Sequence, residues 1–170
     1  IATHKVEGTY DFMWSLPVPR LTAALASYSI FTVLAVPGFA AALGIAAWRY
    51  DLALHVTAWV VPAVLLSALM AASVGFAVGH AVDNPALVNV VTNLVIFTVI
   101  MFSPIAFPIE NFPGWLAGIH RVLPFWHMAN VIRASLTEGM VTGTGASYAA
   151  LGAWTAGAWL LASWAVARRR

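Results

Sequence analysis

The stretch Phe102-Ser103-Pro104-Ile105-Ala106-Phe107-Pro108-Ile109-Glu110, with Pro113 and Pro124 after it, decides how this chain is read. It closes a long apolar helix and opens a segment that stays hydrophobic but is broken every few residues. Proline has no amide N–H and disfavours helix at the residue before it. Ser103-Pro104 and Phe107-Pro108 therefore predict a helix end followed by an irregular turn. Asn111 reads as a cap, Pro113 opens a short helical run to about Arg121, and Pro124 opens another to about Glu138, with Gly139 placed to stop it. Neither run reaches the ~20 residues a helix needs to cross a bilayer. Trp115, Leu116, Ile119, Phe125, Trp126, Met128, Val131, Ile132 and Leu136 nevertheless keep both runs apolar. Two short apolar helices joined by proline turns predict a re-entrant hairpin over about 105–138. Irregular backbone at that depth survives only when covered by protein or lining a wet cavity. The hairpin must sit against other spans.

Composition sets the class around it. Hydrophobic residues make up 62% of the 170-residue chain and charged residues 8%, and the mean hydropathy is +0.88. Soluble domains carry about 25% charged residues, so the chain reads as an integral membrane protein, all-α and polytopic. A net charge of +2, scattered or terminal, gives no nucleic-acid footprint. Cys is absent, which excludes a disulfide, a thiolate metal site and a cysteine nucleophile. The polar opening, Ile1 to Asp11 with Lys5, Glu7 and Asp11, is no signal peptide. A start at Ile1 rather than Met predicts a piece of a longer chain.

In chain order, residues 1–20 form the one long polar stretch, ending in Leu16-Pro17-Val18-Pro19-Arg20, with an amphipathic helix possible around Val6 to Trp14. Four spans are predicted at about 21–47, 58–82, 86–103 and 148–167. Pro37-Gly38 predicts a kink in the first, and Trp48-Arg49-Tyr50-Asp51 an interface belt at its end. In the second, Ser67, Ala71, Gly75 and Gly79 recur every four residues, a small face for close helix packing. His80 reads as an interface residue near Asp83. Asp83-Asn84-Pro85 is a minimal turn, so the third span runs antiparallel beside the second. Asn89, Thr92 and Asn93 share one face of it and read as polar glue between helices, ahead of a substrate path.

Lys and Arg placement sets the orientation. Lys5, Arg20 and Arg168-Arg169-Arg170 share one side, against Arg49, Arg121 and Arg133 on the other. The positive-inside rule puts both ends in the cytoplasm of a plasma-membrane protein, with the hairpin opening outward.

Residues 7–20 and 84–133 now carry a resemblance. Glu7-Gly8-Thr9-Tyr10 followed by Ser15-Leu16-Pro17-Val18-Pro19-Arg20 resembles the cytoplasmic loop of ABC-2 type transporter permeases. Asn84-Pro85, Asn89 to Asn93, Ser103-Pro104 to Phe107-Pro108, Pro113-Gly114-Trp115, Leu123-Pro124 and Ile132-Arg133 resemble that family's C-terminal signature, in order. The family has six spans with one re-entrant hairpin before the last, and this chain supplies the last four spans and the hairpin. The resemblance implies the permease subunit of an ATP-driven exporter, working by alternating access. Its implied partners are a separate ABC ATPase subunit, a second permease subunit (the same or different), membrane lipids and an amphipathic or hydrophobic substrate such as a drug, a lipid or a lipid-linked glycan. No cofactor is expected in this chain, because ATP and Mg²⁺ would bind the ATPase. Glu7, Gly8, Thr9 and Tyr10 are implied to couple to that ATPase. Ser103, Pro104, Phe107, Pro108, Glu110, Pro113, Pro124, His127 and Arg133 are implied to belong to the outer gate, with His120 and Arg121 among its polar members.

Other functions fit the residues less well. His120 and His127 are separated by the helix-breaking Pro124, and no His-Glu-x-x-His pattern exists for a metal enzyme. Ser147 in Gly145-Ala146-Ser147 sits at the edge of a span, and Ser73 lacks the first glycine of a nucleophile elbow. No G-x-x-x-x-G-K-[ST] stretch is present, so the chain is not the ATPase. The remaining alternative is an ion-gradient-driven secondary transporter or channel subunit. Such proteins place an ionisable residue in mid-membrane, and the four predicted spans hold no Asp, Glu, Lys or Arg.

Overall fold

The computed structural model describes residues 7–9, 12, 15, 17–105 and 108–168. Among the described residues six α-helices carry the fold: α1 (Arg20–Tyr50), α2 (Val60–Ala81), α3 (Pro85–Phe102), α4 (Gly114–Val122), α5 (Pro124–Leu136) and α6 (Gly145–Arg168). A short 3₁₀ turn, Ile109–Asn111, lies between α3 and α4, and the described residues contain no strand. Among the described residues three helices are long and apolar enough to cross a membrane: Leu25–Tyr50, Val60–Ala81 and Pro85–Phe102. α6 has 24 residues, about 36 Å at helical rise.

Local chemistry explains the ends. Pro19 precedes the first turn of α1, and Asp51 closes the helix in the left-handed region at φ 48°. Pro37 lies inside α1, which continues through it as one helix. Asn84 caps α3 by accepting from the Ala86 amide at 2.9 Å, with Pro85 at the first helical position, where a missing N–H costs nothing. Pro113 is the N-cap residue of α4, and Pro124 takes the first helical position of α5; neither helix has a side-chain cap. Gly139 stands at φ +72° just past α5, a conformation that favours glycine.

The centre of the fold is the α2–α6 pair. Trp59 and Tyr148 meet at one end, with ring centroids 6.0 Å apart, and Phe76 clusters with Ala162 further along. The two helices therefore run in the same direction. α1 is stitched to them by Tyr28, whose hydroxyl lies 2.9 Å from the Leu69 carbonyl and 2.7 Å from Ser73 Oγ, and whose ring lies 5.1 Å from that of Trp159. Against the upper half of this pair sits the hairpin. Val131 of α5, fully buried, joins Ala63, Met70 and Leu151 in one apolar cluster. The Val122 carbonyl accepts from Trp154 Nε1 at 2.9 Å. Trp154 is about 14 Å along α6 from its start at helical rise, so the α4–α5 junction reaches well down the pair. The loop before α2 is tied to the same end: the His55 and Thr57 amides donate to the Leu136 and Ser135 carbonyls, both at 2.9 Å.

Leu151 tests this core. Leu151→Ala should destabilise the chain by about 2–5 kcal/mol, the range for emptying a packed site. Leu161→Ala, at a side chain 61% exposed, should move stability by no more than about 0.5 kcal/mol. Thermal unfolding in detergent compares the two, and equal effects would contradict the packing.

Two expectations need correction. α3 does not pack along α2; Val88 is its one buried residue. The three-residue link Val82–Asn84 is extended at Val82 and Asn84 rather than tightly turned, and ~10 Å of extended chain lets the helix stand away. The four-residue small stripe of α2 is not its seam with α6. Ser67 and Gly79 are buried but Ala71 and Gly75 are exposed. Residues four apart drift about 40° per step around a helix of 3.6 residues per turn, so the four do not share one face. The seam uses Ala63, Met70 and Val74 instead. His80, near Asp83 at the end of α2, is 3% exposed, stacked on Phe76 at 4.5 Å with its Nδ1 2.9 Å from the Phe76 carbonyl.

Candidate functional site

The proline-punctuated stretch, α5 and the loop before α6 enclose a cavity of about 610 Å³. Trp126, Asn130 and Arg133 line it from α5, spaced at four and three residues, which puts them on one helix face. Pro104 closes the side nearest α3, and Pro108, Ile109 and Glu110 of the 3₁₀ turn close another. The fourth wall is the loop Met140 to Thr144 with the first turn of α6, Ala146 and Ser147. Gly143, at φ +71°, lets that loop turn tightly.

Arg133 holds the cavity's frame. One terminal nitrogen donates to the Pro104 carbonyl at 3.2 Å and the Ile105 carbonyl at 2.7 Å. These carbonyls lie just past the end of α3, where no helical amide can reach them. Arg133 makes no ion pair among the described residues, although Glu110 lines the same cavity. A positive and a negative side chain thus line one cavity without forming an ion pair.

His127 is the second strut. Its Nε2 lies 2.9 Å from the Arg121 carbonyl, so that nitrogen carries the proton. Nδ1 is 3.1 Å from Ser147 Oγ and accepts from that hydroxyl. One buried ring therefore ties the end of α4 to the start of α6. Ser147 is engaged in this bond, and Ser73 is fully buried against Tyr28, so neither serine is presented as a nucleophile. The other predicted hairpin residues scatter. Pro113 is exposed, Pro124 is buried and Arg121 is exposed. His120 is 4% exposed beside Phe112, and neither ring nitrogen has a partner among the described residues. Ser103 Oγ is likewise buried and unpartnered. Phe107 lies outside the described residues.

Asn89 and Asn93 are exposed on α3, and no described side chain bonds them. The sequence reading missed the docking of the loop before α2. Nothing in Leu52–Thr57 marks it, because the bonds run through backbone and the exposed His55–Glu138 pair at 3.6 Å adds little.

At the opposite end of the chain, Gly8 adopts φ +71°, and the Phe12 amide reaches back to its carbonyl at 3.4 Å. Glu7 and Gly8 are exposed and Thr9 is half-buried. Tyr10 lies outside the described residues.

The chain was compared with protein families, curated proteins and solved structures. The family model described as ABC-2 type transporter matches residues 2–137. No curated protein and no solved structure matches. The matched segment takes in the Gly8 turn, α1 to α3 and the whole hairpin, so the motifs quoted from the sequence and the family agree over most of the length. The chain belongs to the ABC-2 type transporter family.

Proposed function

We propose that this chain is the membrane part of an exporter permease that moves an amphipathic or hydrophobic molecule outward, driven by a separate ABC ATPase. A second permease subunit, the same or different, completes the path. Both ends lie in the cytoplasm of the plasma membrane. α6 is the fourth span, and α4 and α5 form the outward-facing hairpin dipping partway into the bilayer.

The observation that carries this reading is mechanical continuity. The Glu7–Thr9 segment precedes α1, which starts at Arg20 after Pro19, by ten residues in the sequence. Tyr28 ties α1 to α2 and α6. Val131 seats α5 against the same two helices, and Arg133 ties α5 to the tip of α3. A push on the cytoplasmic segment when the ATPase closes is thereby transmitted to the outer cavity through packed helices and hydrogen bonds. Apart from Arg49 and Arg168 at helix ends, His80 is the one Asp, Glu, Lys, Arg or His side chain in the described spans, so no chain of acids or bases for an ion gradient runs along them.

Reconstitution decides between the two energy sources. The full permease with its ATPase, in vesicles, should move a fluorescent amphiphile only with hydrolysable ATP. Movement driven by an ion gradient in ATP-free vesicles would overturn the reading.

A further inference from the structure

We propose that the cavity bounded by Arg133, Glu110, Trp126 and the loop before α6 binds a zwitterionic phosphoester headgroup, a phosphate with an amine close by. Arg133 supplies the first half of the argument. Its Nη2 is committed to the Pro104 and Ile105 carbonyls, which fixes the planar guanidinium and leaves its remaining N–H groups to the cavity it lines. No carboxylate pairs with it among the described residues. A half-buried guanidinium without a counter-ion suits a phosphate, which it meets with two parallel hydrogen bonds. Thr142 and Thr144 line the same space, and their hydroxyls suit phosphate oxygens.

Glu110 and Trp126 supply the second half. Glu110 lines the same cavity from the 3₁₀ turn and is likewise unpaired among the described residues. Two opposite charges in one cavity would close on each other unless the frame held them apart. Here Arg133 is held by α5 and the α3 tip, and Glu110 by the prolines at 108 and 113. A ligand carrying both charges a few ångströms apart satisfies each without moving either. Trp126 adds an aromatic wall that attracts an ammonium group. The cavity volume, about 610 Å³, falls in the ordinary range for small-ligand sites. It leaves room for a glycerol backbone beside the headgroup. The same headgroup chemistry is offered by a membrane lipid and by a soluble phosphoester. The site rests on the exporter reading only for what happens to the molecule after it binds.

The test is binding to the purified full permease in detergent, by titration calorimetry, with no ATPase present. Dihexanoyl-phosphatidylethanolamine, dihexanoyl-phosphatidylglycerol, dihexanoylglycerol and free phosphoethanolamine are compared. The ethanolamine lipid should bind at least tenfold tighter than dihexanoylglycerol. Glu110→Gln, at an exposed position with no bond to lose, should weaken the ethanolamine lipid about tenfold and leave phosphatidylglycerol unchanged. Arg133→Lys, which keeps the charge but not the fork, should weaken both phosphates. Free phosphoethanolamine matching the lipid supports the site with a soluble ligand, and its failure to bind supports the lipid. Dihexanoylglycerol binding as well as the phosphates, or Glu110→Gln leaving the ethanolamine lipid unaffected, overturns the proposal. Binding with no ATP-driven transport in vesicles would sink the exporter reading and leave this site standing.

Discussion

Arg133→Met should release the tip of α3 and lower the thermal midpoint of the permease by about 6–12 °C. The guanidinium bonds the Pro104 and Ile105 carbonyls at the α3 tip. A hydrogen bond to a charged group is worth about 1.5–3 kcal/mol, so losing two costs roughly 3 kcal/mol or more. For a chain of this length each kcal/mol shifts the midpoint by about 2–4 °C. The effect is large because α3 has little else. Val88 is its one buried residue, and its lower end hangs on the extended Val82–Asn84 link. Methionine fills the volume but leaves both carbonyls bare. Arg133→Lys should keep one of the two bonds and fall between. A spin-label distance between position 101 on α3 and position 138 beyond α5 should broaden in Arg133→Met. A distance that stays narrow and unchanged, with a wild-type midpoint, would remove the clamp from this account.

The same residue shows what a sequence can and cannot say about such a fold. Pro104, Pro108, Pro113, Pro124 and Gly139 act through their own backbone limits, so the breaks at α3, α4 and α5 were readable without any neighbour. Hydropathy places an apolar helix over 58–82, and one is found at Val60–Ala81. Arg133 was recognised as a hairpin charge, but not as the clamp on Pro104 and Ile105, because its partners are carbonyls and carry no residue code. The His127–Ser147 strut was hidden for a related reason. Serine and histidine twenty residues apart meet only once α5 and α6 have packed. The small stripe of α2 misled because a four-residue repeat resembles one face but winds around the helix. α3 misled in another way. A short link permits a close antiparallel pair without requiring it, and the polar face at Asn89 and Asn93 gave no sign that α2 would leave it uncovered. Sequence patterns report what a residue does to its own backbone. They report poorly on which of several apolar faces will be chosen.

At the N-terminal end of the chain the expected result turns on one dihedral angle. Gly8→Val should cut ATP-driven transport about tenfold, while expression, membrane insertion and thermal midpoint stay close to wild type. Gly8 sits at φ +71°, where a side chain is strained whatever space surrounds it, and an added Cβ would meet nothing within 4 Å. The penalty is therefore conformational and local, about 1–2 kcal/mol for an L-residue held left-handed. A factor of ten in the population of the turn corresponds to about 1.4 kcal/mol. Because Gly8 and Glu7 are exposed, this loss does not spread into the bundle. Gly8→Asn separates two causes, since asparagine tolerates the left-handed region. If the turn alone matters, Gly8→Asn should transport nearly normally. If the ATPase must approach the backbone at this point, asparagine should fail as valine does. Glu7→Gln should reduce coupling without altering the turn, because its carboxylate has no described partner in the chain to lose. ATP hydrolysis measured beside transport in the same vesicles gives the deciding ratio. If all three variants export substrate at the wild-type yield per ATP, the segment from Glu7 to Thr9 does not receive the motor's stroke, and the mechanical path must enter the spans elsewhere.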